Sequence, residues 1–249
     1  MKKFFSIFIF CLIFSSVAFA QTEIQTAQVF FQSISEYYGT ITDYEADIDI
    51  TAGKSQMKGK VSFKRPDMLR IDFSEPENQV IVFNGERLVI YLPKAAAILS
   101  QTVSSDSEAG GANLATPQGL SLMSRYYSIG YENSPNPELL DSDNLKSEKV
   151  IKLILSRKNS SEGFRNIRLA ISPKTKLIRR VTAISATTDE EFVFNFSNYT
   201  LNNSIPDTRF LYDTPSDANT YDNFLFSEWR RSSLPWHYRK DCRGVTSRE

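Results

Sequence analysis

The sequence predicts a mainly β protein of the α+β class: an open, incomplete antiparallel β-barrel with helices covering its concave face. Apolar and polar residues alternate with period two in short segments separated by turn residues, which is typical of antiparallel strands with one buried face. Two segments have the spacing of an amphipathic helix. A single sheet of this size has to bury one apolar face, and helices laid on the concave side would cover it.

The N-terminus has the three parts of a secretory signal peptide. Lys2 and Lys3 supply positive charge, an apolar run follows from Phe4 to Phe14, and an Ala-Phe-Ala cleavage pattern ends at Ala20. The apolar run is short for a membrane span, and the alternative is an uncleaved anchor. We expect residues 1–20 to be removed and the protein to be secreted across a membrane.

The composition of the remaining chain narrows the classes of function. Cys242 is its only cysteine, so no internal disulfide can form. Cys11 lies inside the apolar run without a lipidation motif, so we expect no lipid anchor. Without Lys2 and Lys3 the chain has 27 basic and 29 acidic residues, a net charge of −2. This balance argues against nucleic acid as a partner.

The periodicity places the secondary structure along the chain. Residues 22–38 carry one apolar stripe at helical spacing, and Gly39 is a natural stop. The Asn84-Gly85 pair lies between two β-branched runs and favours a tight primed turn. Strands are predicted at residues 44–51, 57–64, 69–74, 79–83, 87–91, 150–156, 164–171, 177–186 and 191–199.

Two polar stretches and a distinct tail interrupt this pattern. Residues 100–118 predict a loop, after which Pro117 opens a short helix to Tyr127. A second polar stretch spans residues 132–147. The tail, residues 222–249, holds both tryptophans, the only histidine and an excess of arginine. We favour a poorly ordered extension, and the alternative is a basic-aromatic patch that contacts a membrane or a partner.

Side chains suited to catalysis or metal binding are scarce. The only histidine, His237, is in the tail, which argues against a Ser-His-Asp or Cys-His site. No cluster of histidine and cysteine suggests a metal centre. Asp47 and Asp49 fit a solvated strand face better than an acid–base pair, although a hydrolase that uses only carboxylates is a formal alternative. The sequence therefore predicts a protein that is not an enzyme and that needs no metal or cofactor.

The remaining signal is apolar burial. A loosely closed interior could accept acyl chains, because each methylene removed from water contributes roughly 0.8 kcal/mol. The alternative is that the same apolar residues pack together as an ordinary core. Periodicity alone leaves both interpretations open.

Residues 63–91 combine several motifs in a specific order. A Lys-Arg-Pro turn at 64–66 precedes a strand at 69–73, an acidic-Pro turn at 75–76, and a strand that ends in the hairpin at 84–85. This order resembles the LolA family of periplasmic outer-membrane lipoprotein carriers, and residues 194–210 resemble the family's last strand with its Pro-Asp exit. The sequence departs from the family at Ile71, where tryptophan is frequent, and in the two polar stretches, which look like insertions.

The resemblance implies that residues 21–221 form one open-barrel domain that shelters the acyl chains of lipoproteins and delivers them to the outer membrane. The implied partners are acylated lipoproteins, an inner-membrane lipoprotein-releasing transporter and an outer-membrane acceptor. Arg65 corresponds to the family arginine that hydrogen-bonds the lid backbone in the closed state. Without the resemblance, Arg65 would be interpreted as an exposed turn charge. The alternative function is a lipid-sensing or protein-interaction regulatory module on the same fold.

The candidate ligand-binding residues of the hydrophobic cavity are apolar positions on three neighbouring strands. They are Leu69, Ile71, Phe73, Val80, Val82, Leu88 and Ile90. The hairpin of residues 79–91 is apolar on both faces, and a register change of one residue exchanges them. The sequence therefore does not fix which face of the hairpin points inward.

Overall fold

The computed structural model describes residues 25–102 and 117–222. This part of the chain has two α-helices, two 3-10 turns and thirteen strands. The helices are α1 (Ala27–Thr40) and α2 (Pro117–Tyr126), and the 3-10 turns are Pro93–Ala95 and Asp207–Phe210. The strands are β1 (Asp43–Ala52), β2 (Ser55–Lys64), β3 (Met68–Glu75), β4 (Val80–Phe83), β5 (Arg87–Leu92), β6 (Ala97–Thr102), β7 (Tyr127–Tyr131), β8 (Glu138–Leu139), β9 (Lys149–Arg157), β10 (Phe164–Ile171), β11 (Ile178–Ser185), β12 (Glu191–Leu201) and β13 (Asn219–Asp222).

The strands form one long sheet with the order β13-β6-β5-β4-β3-β2-β1-β12-β11-β10-β9-β7, and β8 adds to β9. Two meanders, β1 to β6 and β9 to β12, meet where β1 pairs with β12. The pairs are antiparallel except that β13 runs parallel to β6. Within the described ranges the sheet does not close, because β13 and β7 are its two ends. The prediction of an open, mainly antiparallel β fold with covering helices is confirmed.

Helix α1 covers the inner face of the sheet. Its buried side chains are Ala27, Phe30, Phe31, Ile34 and Tyr38, and they join a single apolar core with inward residues of the strands. Complete burial of side chains such as Phe31 and Ile34 contributes roughly 1.5–3 kcal/mol each. Helix α2 contacts α1 and β7, with Leu120 and Met123 in the same core.

The boundaries of α1 differ from the prediction of residues 22–38. The helix begins at Ala27 because the Thr26 hydroxyl oxygen accepts a hydrogen bond from the Val29 N–H at 3.3 Å, which is an N-cap contact. It ends after Thr40, where Ile41 adopts an extended conformation. Residues 22–24 lie outside the described part of the chain.

Four strands were not predicted from periodicity. Strands β6, β7, β8 and β13 have little alternation of their own, and pairing with neighbouring strands determines them. The predicted tight turn lies within Asn84–Arg87, where the Asn84 N–H donates to the Arg87 carbonyl oxygen at 3.3 Å and Gly85, the first central residue, has a positive φ. One positive φ at this position fits a type II′ primed turn, whereas a type I′ turn needs two. The Asn84 side-chain oxygen also accepts hydrogen bonds from the backbone N–H groups of Glu86 and Arg87.

Two irregular segments lie on the outer face of the sheet. Residues 202–218 cross β3, where Arg70 donates hydrogen bonds to the carbonyl oxygens of Arg209 and Leu211, each at 3.1 Å. Residues 132–148 lie over β9 to β11, where the Arg180 guanidinium lies 2.8 Å from Asp141. The chain therefore has an apolar inner layer of helices and a polar outer layer of loops.

Among the residues that the structure describes, no helix has the length and apolar character needed to span a membrane. The predicted signal peptide and most of the predicted tail, residues 223–249, fall outside the described residues. Both predictions therefore remain predictions.

Candidate ligand-binding face

The inner face of the sheet is identified by its cross-strand pairs, because residues directly opposite each other in antiparallel strands share a face. Leu69 pairs with Phe83, and Ile71 pairs with Ile81. Leu69, Ile71 and Phe73 are buried in the same core as α1. The three predicted positions of β3 therefore lie together on the inner face.

The predicted positions of the hairpin divide between the two faces. Val80 pairs with Asp72 and Val82 pairs with Arg70, which places both valines on the outer face. Leu88 and Ile90 lie on the inner face, because they pair with the inward residues Phe83 and Ile81. The predicted set therefore does not line one cavity, because Val80 and Val82 point away from the inner face. The strand register determines which face of the hairpin points inward, a choice that its doubly apolar sequence left open.

Strands β5, β6 and β13 form an apolar patch at one end of the inner face, which we call the edge patch. Its residues are half-buried and comprise Leu88, Ile90, Leu92, Leu99 and Tyr221. Leu88 packs against the main core, whereas Ile90, Leu92 and Leu99 belong neither to that core nor to the residues packed against it. The edge patch is therefore apolar surface that the helices do not bury fully.

Arg65 lies at the C-terminal end of α1. Its guanidinium donates a hydrogen bond to the carbonyl oxygen of Gly39, and its backbone N–H donates to the carbonyl oxygen of Thr42 at 2.9 Å. The last carbonyl groups of a helix lack intrahelical partners, and a cation there also offsets the negative end of the helix dipole. Arg65 thus ties helix backbone to the β2–β3 turn, which is the kind of contact that a lid-closing residue would make.

A buried tyrosine attaches the same end of α1 to the opposite side of the sheet. The Tyr38 hydroxyl accepts a hydrogen bond from the Ile178 N–H at 3.0 Å, and the Tyr199 hydroxyl donates one to the Ile178 carbonyl at 2.9 Å. Burial raises the pKa of Tyr38 to about 12, outweighing the opposing effect of its hydrogen bond with Ile178. Tyr38 therefore stays protonated at physiological pH and holds α1 close to β11.

A polar groove of about 1090 Å³ lies on the outer face, between the two irregular segments. Its floor is formed by outward residues of β1, β2 and β12, and its walls by β3 on one side and the 140–148 region with β11 on the other. Asp49 and Lys60 lie in this groove and have no ion-pair partner among the described residues. Most of its lining side chains are charged or polar, and Ile48, Phe73, Leu140 and Phe196 complete the lining.

The described residues contain no group of three or more His, Cys, Asp or Glu side chains arranged to hold a metal ion. Asp47 and Asp49 are outward residues of β1, and Asp47 accepts a hydrogen bond from Asn198 at 2.7 Å. His237 lies outside the described residues.

Sequence reasoning missed the edge-patch positions Leu92, Leu99 and Tyr221. The Ala97-Ile98-Leu99 run was the available signal for a strand, but it follows two further alanines and enters a stretch rich in serine. Tyr221 joins the patch only through the parallel pairing of β13 with β6, which has no local sequence signature.

Comparison with known protein families gives a match over most of the chain. The profile of the family described as outer membrane lipoprotein carrier protein LolA matches residues 50–213. A curated outer-membrane lipoprotein carrier protein of Haemophilus ducreyi is 32% identical over 92 residues, which cover 36% of this chain and 42% of that protein. The chain thus spans less than half the length of this relative.

Solved structures show the fold. An uncharacterized conserved protein from Thermus thermophilus has a TM-score of 0.50 at 13% identity, with 77% of this chain and 96% of that chain covered. The MucA/MucB complex structure of Pseudomonas aeruginosa has a TM-score of 0.45 at 8% identity, with 78% of this chain and 62% of that chain covered. The first of these supports the open-sheet fold, and the second is too distant to support any functional argument.

Proposed function

Because this chain belongs to the LolA outer membrane lipoprotein carrier family, we propose that it is a periplasmic carrier that shelters the acyl chains of lipoproteins on the inner face of its open sheet. The cargo would be taken from an inner-membrane lipoprotein-releasing transporter and given to an outer-membrane acceptor. The signal peptide predicted at residues 1–20 would bring the chain to the compartment where this transfer takes place.

The edge patch is the observation that supports this proposal most directly. An ordinary core would bury Ile90, Leu92 and Leu99 as completely as it buries Leu69 and Ile71, which are each 9% exposed. Instead the three side chains remain half-buried on the same inner face. Apolar surface at the end of a sheet that does not close gives an acyl chain a place to enter without any directional contact.

Binding of a triacylated peptide to the mature protein tests the proposal. Val89 and Ile90 are neighbours on β5, are both half-buried, and face opposite sides of the sheet. We expect Ile90→Asn to weaken binding roughly tenfold, because about 1.5 kcal/mol of apolar contact is lost. Val89→Asn is the matched control and should bind as the wild type does.

Native mass spectrometry of the protein purified from the periplasm provides a second measurement. We expect an acylated polypeptide to co-purify in stoichiometric amount. A clean mass without ligand, together with no binding of the triacylated peptide, would contradict the carrier proposal.

The outer groove favours a second candidate function, a protein-interaction module. Its floor spans three strands, or about 10–15 Å, which is wide enough for an extended polypeptide. Asp49 and Lys60 would supply charges of both signs to a partner. A polypeptide partner whose binding is lost in Lys60→Glu but kept in Ile90→Asn would favour this candidate over the carrier.

A further inference from the structure

The described chain ends beside the edge patch. Asp222 is the last residue of β13; it pairs with Ser100, and its carboxylate lies 3.1 Å from the Arg87 guanidinium. Neighbouring strands are about 4.8 Å apart, so β6 lies about 5 Å and β5 about 10 Å from the backbone of β13. Asp222, from which the rest of the chain continues, therefore lies within about two strand spacings of β6 and β5, the strands of Leu99 and Ile90.

The sequence that continues from this point is unusually apolar at its start. Residues 223–236 include Phe224, Leu225, Phe226, Trp229 and Trp236. Seven extended residues span roughly 23 Å, which is enough to carry Trp229 from β13 across both β6 and β5. Length and starting point thus allow this segment to reach every residue of the edge patch.

Charge at the same end of the sheet complements the basic residues of the tail. The position that a Gly85 Cβ would occupy is 3.2 Å from the Asp67 carboxylate, and Glu86 follows in the same loop. In the described part of the chain, neither Asp67 nor Glu86 forms an ion pair. Arg230 and Arg231 follow Trp229 directly and could meet these carboxylates once the aromatic residues lie on the patch.

We propose that residues 223–236 fold back onto the edge patch and compete with the acyl chains of the cargo. The inference rests on the proposed carrier function, because it takes the edge patch as the acyl-binding surface. A segment attached next to its own binding surface has an effective concentration on the order of millimolar. The segment would therefore cover the patch while the carrier is empty, and cargo would displace it.

Tryptophan fluorescence tests the docking step without any ligand. Both tryptophans of the chain, Trp229 and Trp236, lie in the tail, so the emission reports on this segment alone. We expect the emission of the full mature chain to be blue-shifted relative to a free peptide of residues 223–249. Ile90→Asn should move it toward the peptide value, whereas Val89→Asn, on the opposite face of β5, should not.

Competition is tested by binding of the triacylated peptide to the full mature chain and to a chain that ends at Asp222, which keeps all described strands and helices. We expect the shortened chain to bind about threefold or more tightly, because no population is lost to the covered state. We also expect added peptide to move the emission of the full chain to that of the free tail.

The outcomes separate this inference from the carrier proposal. The docking of the tail would be overturned if the full chain had the emission maximum of water-exposed tryptophan, or if Ile90→Asn and Val89→Asn shifted the maximum equally. This holds even if the acylated peptide binds. A blue-shifted, Ile90-dependent emission in a protein that binds no acylated peptide would support the docking while contradicting the carrier function. Equal peptide affinity of the two chain lengths would overturn the competition.

Discussion

The side-chain nitrogen of Lys64 lies 2.6 Å from the carbonyl oxygen of Ile205, joining two parts of the chain that are 141 residues apart. The same nitrogen lies 2.5 Å from the Asp207 carboxylate. Lys64 begins the Lys-Arg-Pro motif, and Ile205 and Asp207 belong to the Pro-Asp exit that follows β12. The two motifs that support the family resemblance therefore meet in space, and they direct the segment after β12 onto the outer face.

Lys64→Met is expected to lower the free energy of unfolding by about 1–2 kcal/mol. Most of the loss comes from the hydrogen bond to the Ile205 carbonyl. The pair with Asp207, whose side chain is 76% exposed, contributes little. Urea unfolding measures the difference, with the exposed Lys94→Met as control. A Lys64→Met protein as stable as the wild type would show that the contact does not anchor residues 202–218.

Gly59→Ala is expected to destabilise the protein by roughly 1–3 kcal/mol or more. A Cβ at this position would lie 2.3 Å from the carbonyl oxygen of Asp72 and 2.9 Å from the Cα of Phe73. Both are backbone atoms of β3, so relief requires movement of the strand. Thermal unfolding compares it with Gly163→Ala, whose Cβ would meet no atom within 4 Å. Equal melting temperatures for the two variants would contradict the close approach of β2 and β3.

Local sequence predicted β1, β2 and β3 well because each has one apolar face. In β1 and β3 the buried residues alternate as the sequence does, for example Leu69, Ile71 and Phe73. The same rule failed for β4 and β5, whose residues are apolar on both sides. There the outward face meets residues 202–218, as in the ring contact of Tyr91 with Tyr212 at 6.2 Å, and this segment comes more than 100 positions later in the chain.

The candidate site was predictable only in part for the same reason. The inward positions of β3 follow from alternation, whereas the edge patch depends on the pairing of β5, β6 and β13. The contact of Arg65 with Gly39 needs the β2–β3 turn to lie next to the end of α1, which no local pattern specifies. Tertiary pairing, not propensity, decides these positions.

The ionised Asp72 carboxylate is expected to stabilise the folded protein, and this stabilisation should be lost in acid. Burial alone would raise the pKa of its carboxyl, but the hydrogen bonds from Arg70 and Arg209 outweigh burial and hold the pKa below its ordinary value of 3.8. Because the folded-state pKa is depressed, the stabilisation is present above the unfolded pKa and is lost as the pH falls through the folded pKa. The loss should therefore occur below about pH 4.

The difference in melting temperature between the wild type and Asp72→Asn measures this effect. We expect the variant to melt lower at pH 7 and the two proteins to converge near pH 2–3. Asp217→Asn, at an exposed position, is the control and should follow the wild type at each pH. A gap between the wild type and Asp72→Asn that is independent of pH would show that the ionised carboxylate is not what stabilises residues 202–218.

Arg65→Leu is expected to leave the fold intact but to slow cargo release. Loss of the hydrogen bond to Gly39 makes the closed state about 1 kcal/mol less favourable. In the proposed carrier, closing of the empty state would offset part of the cost of giving up an acyl chain. The variant should therefore hold a triacylated peptide about fivefold more tightly and release it more slowly to lipid vesicles.

Arg165→Leu, which breaks an exposed pair with Asp189 far from α1, is the matched control. Urea unfolding should place both variants within about 1 kcal/mol of the wild type. If a folded Arg65→Leu protein released its cargo at the normal rate, Arg65 would only stabilise the C-terminal end of α1 and would have no role in release.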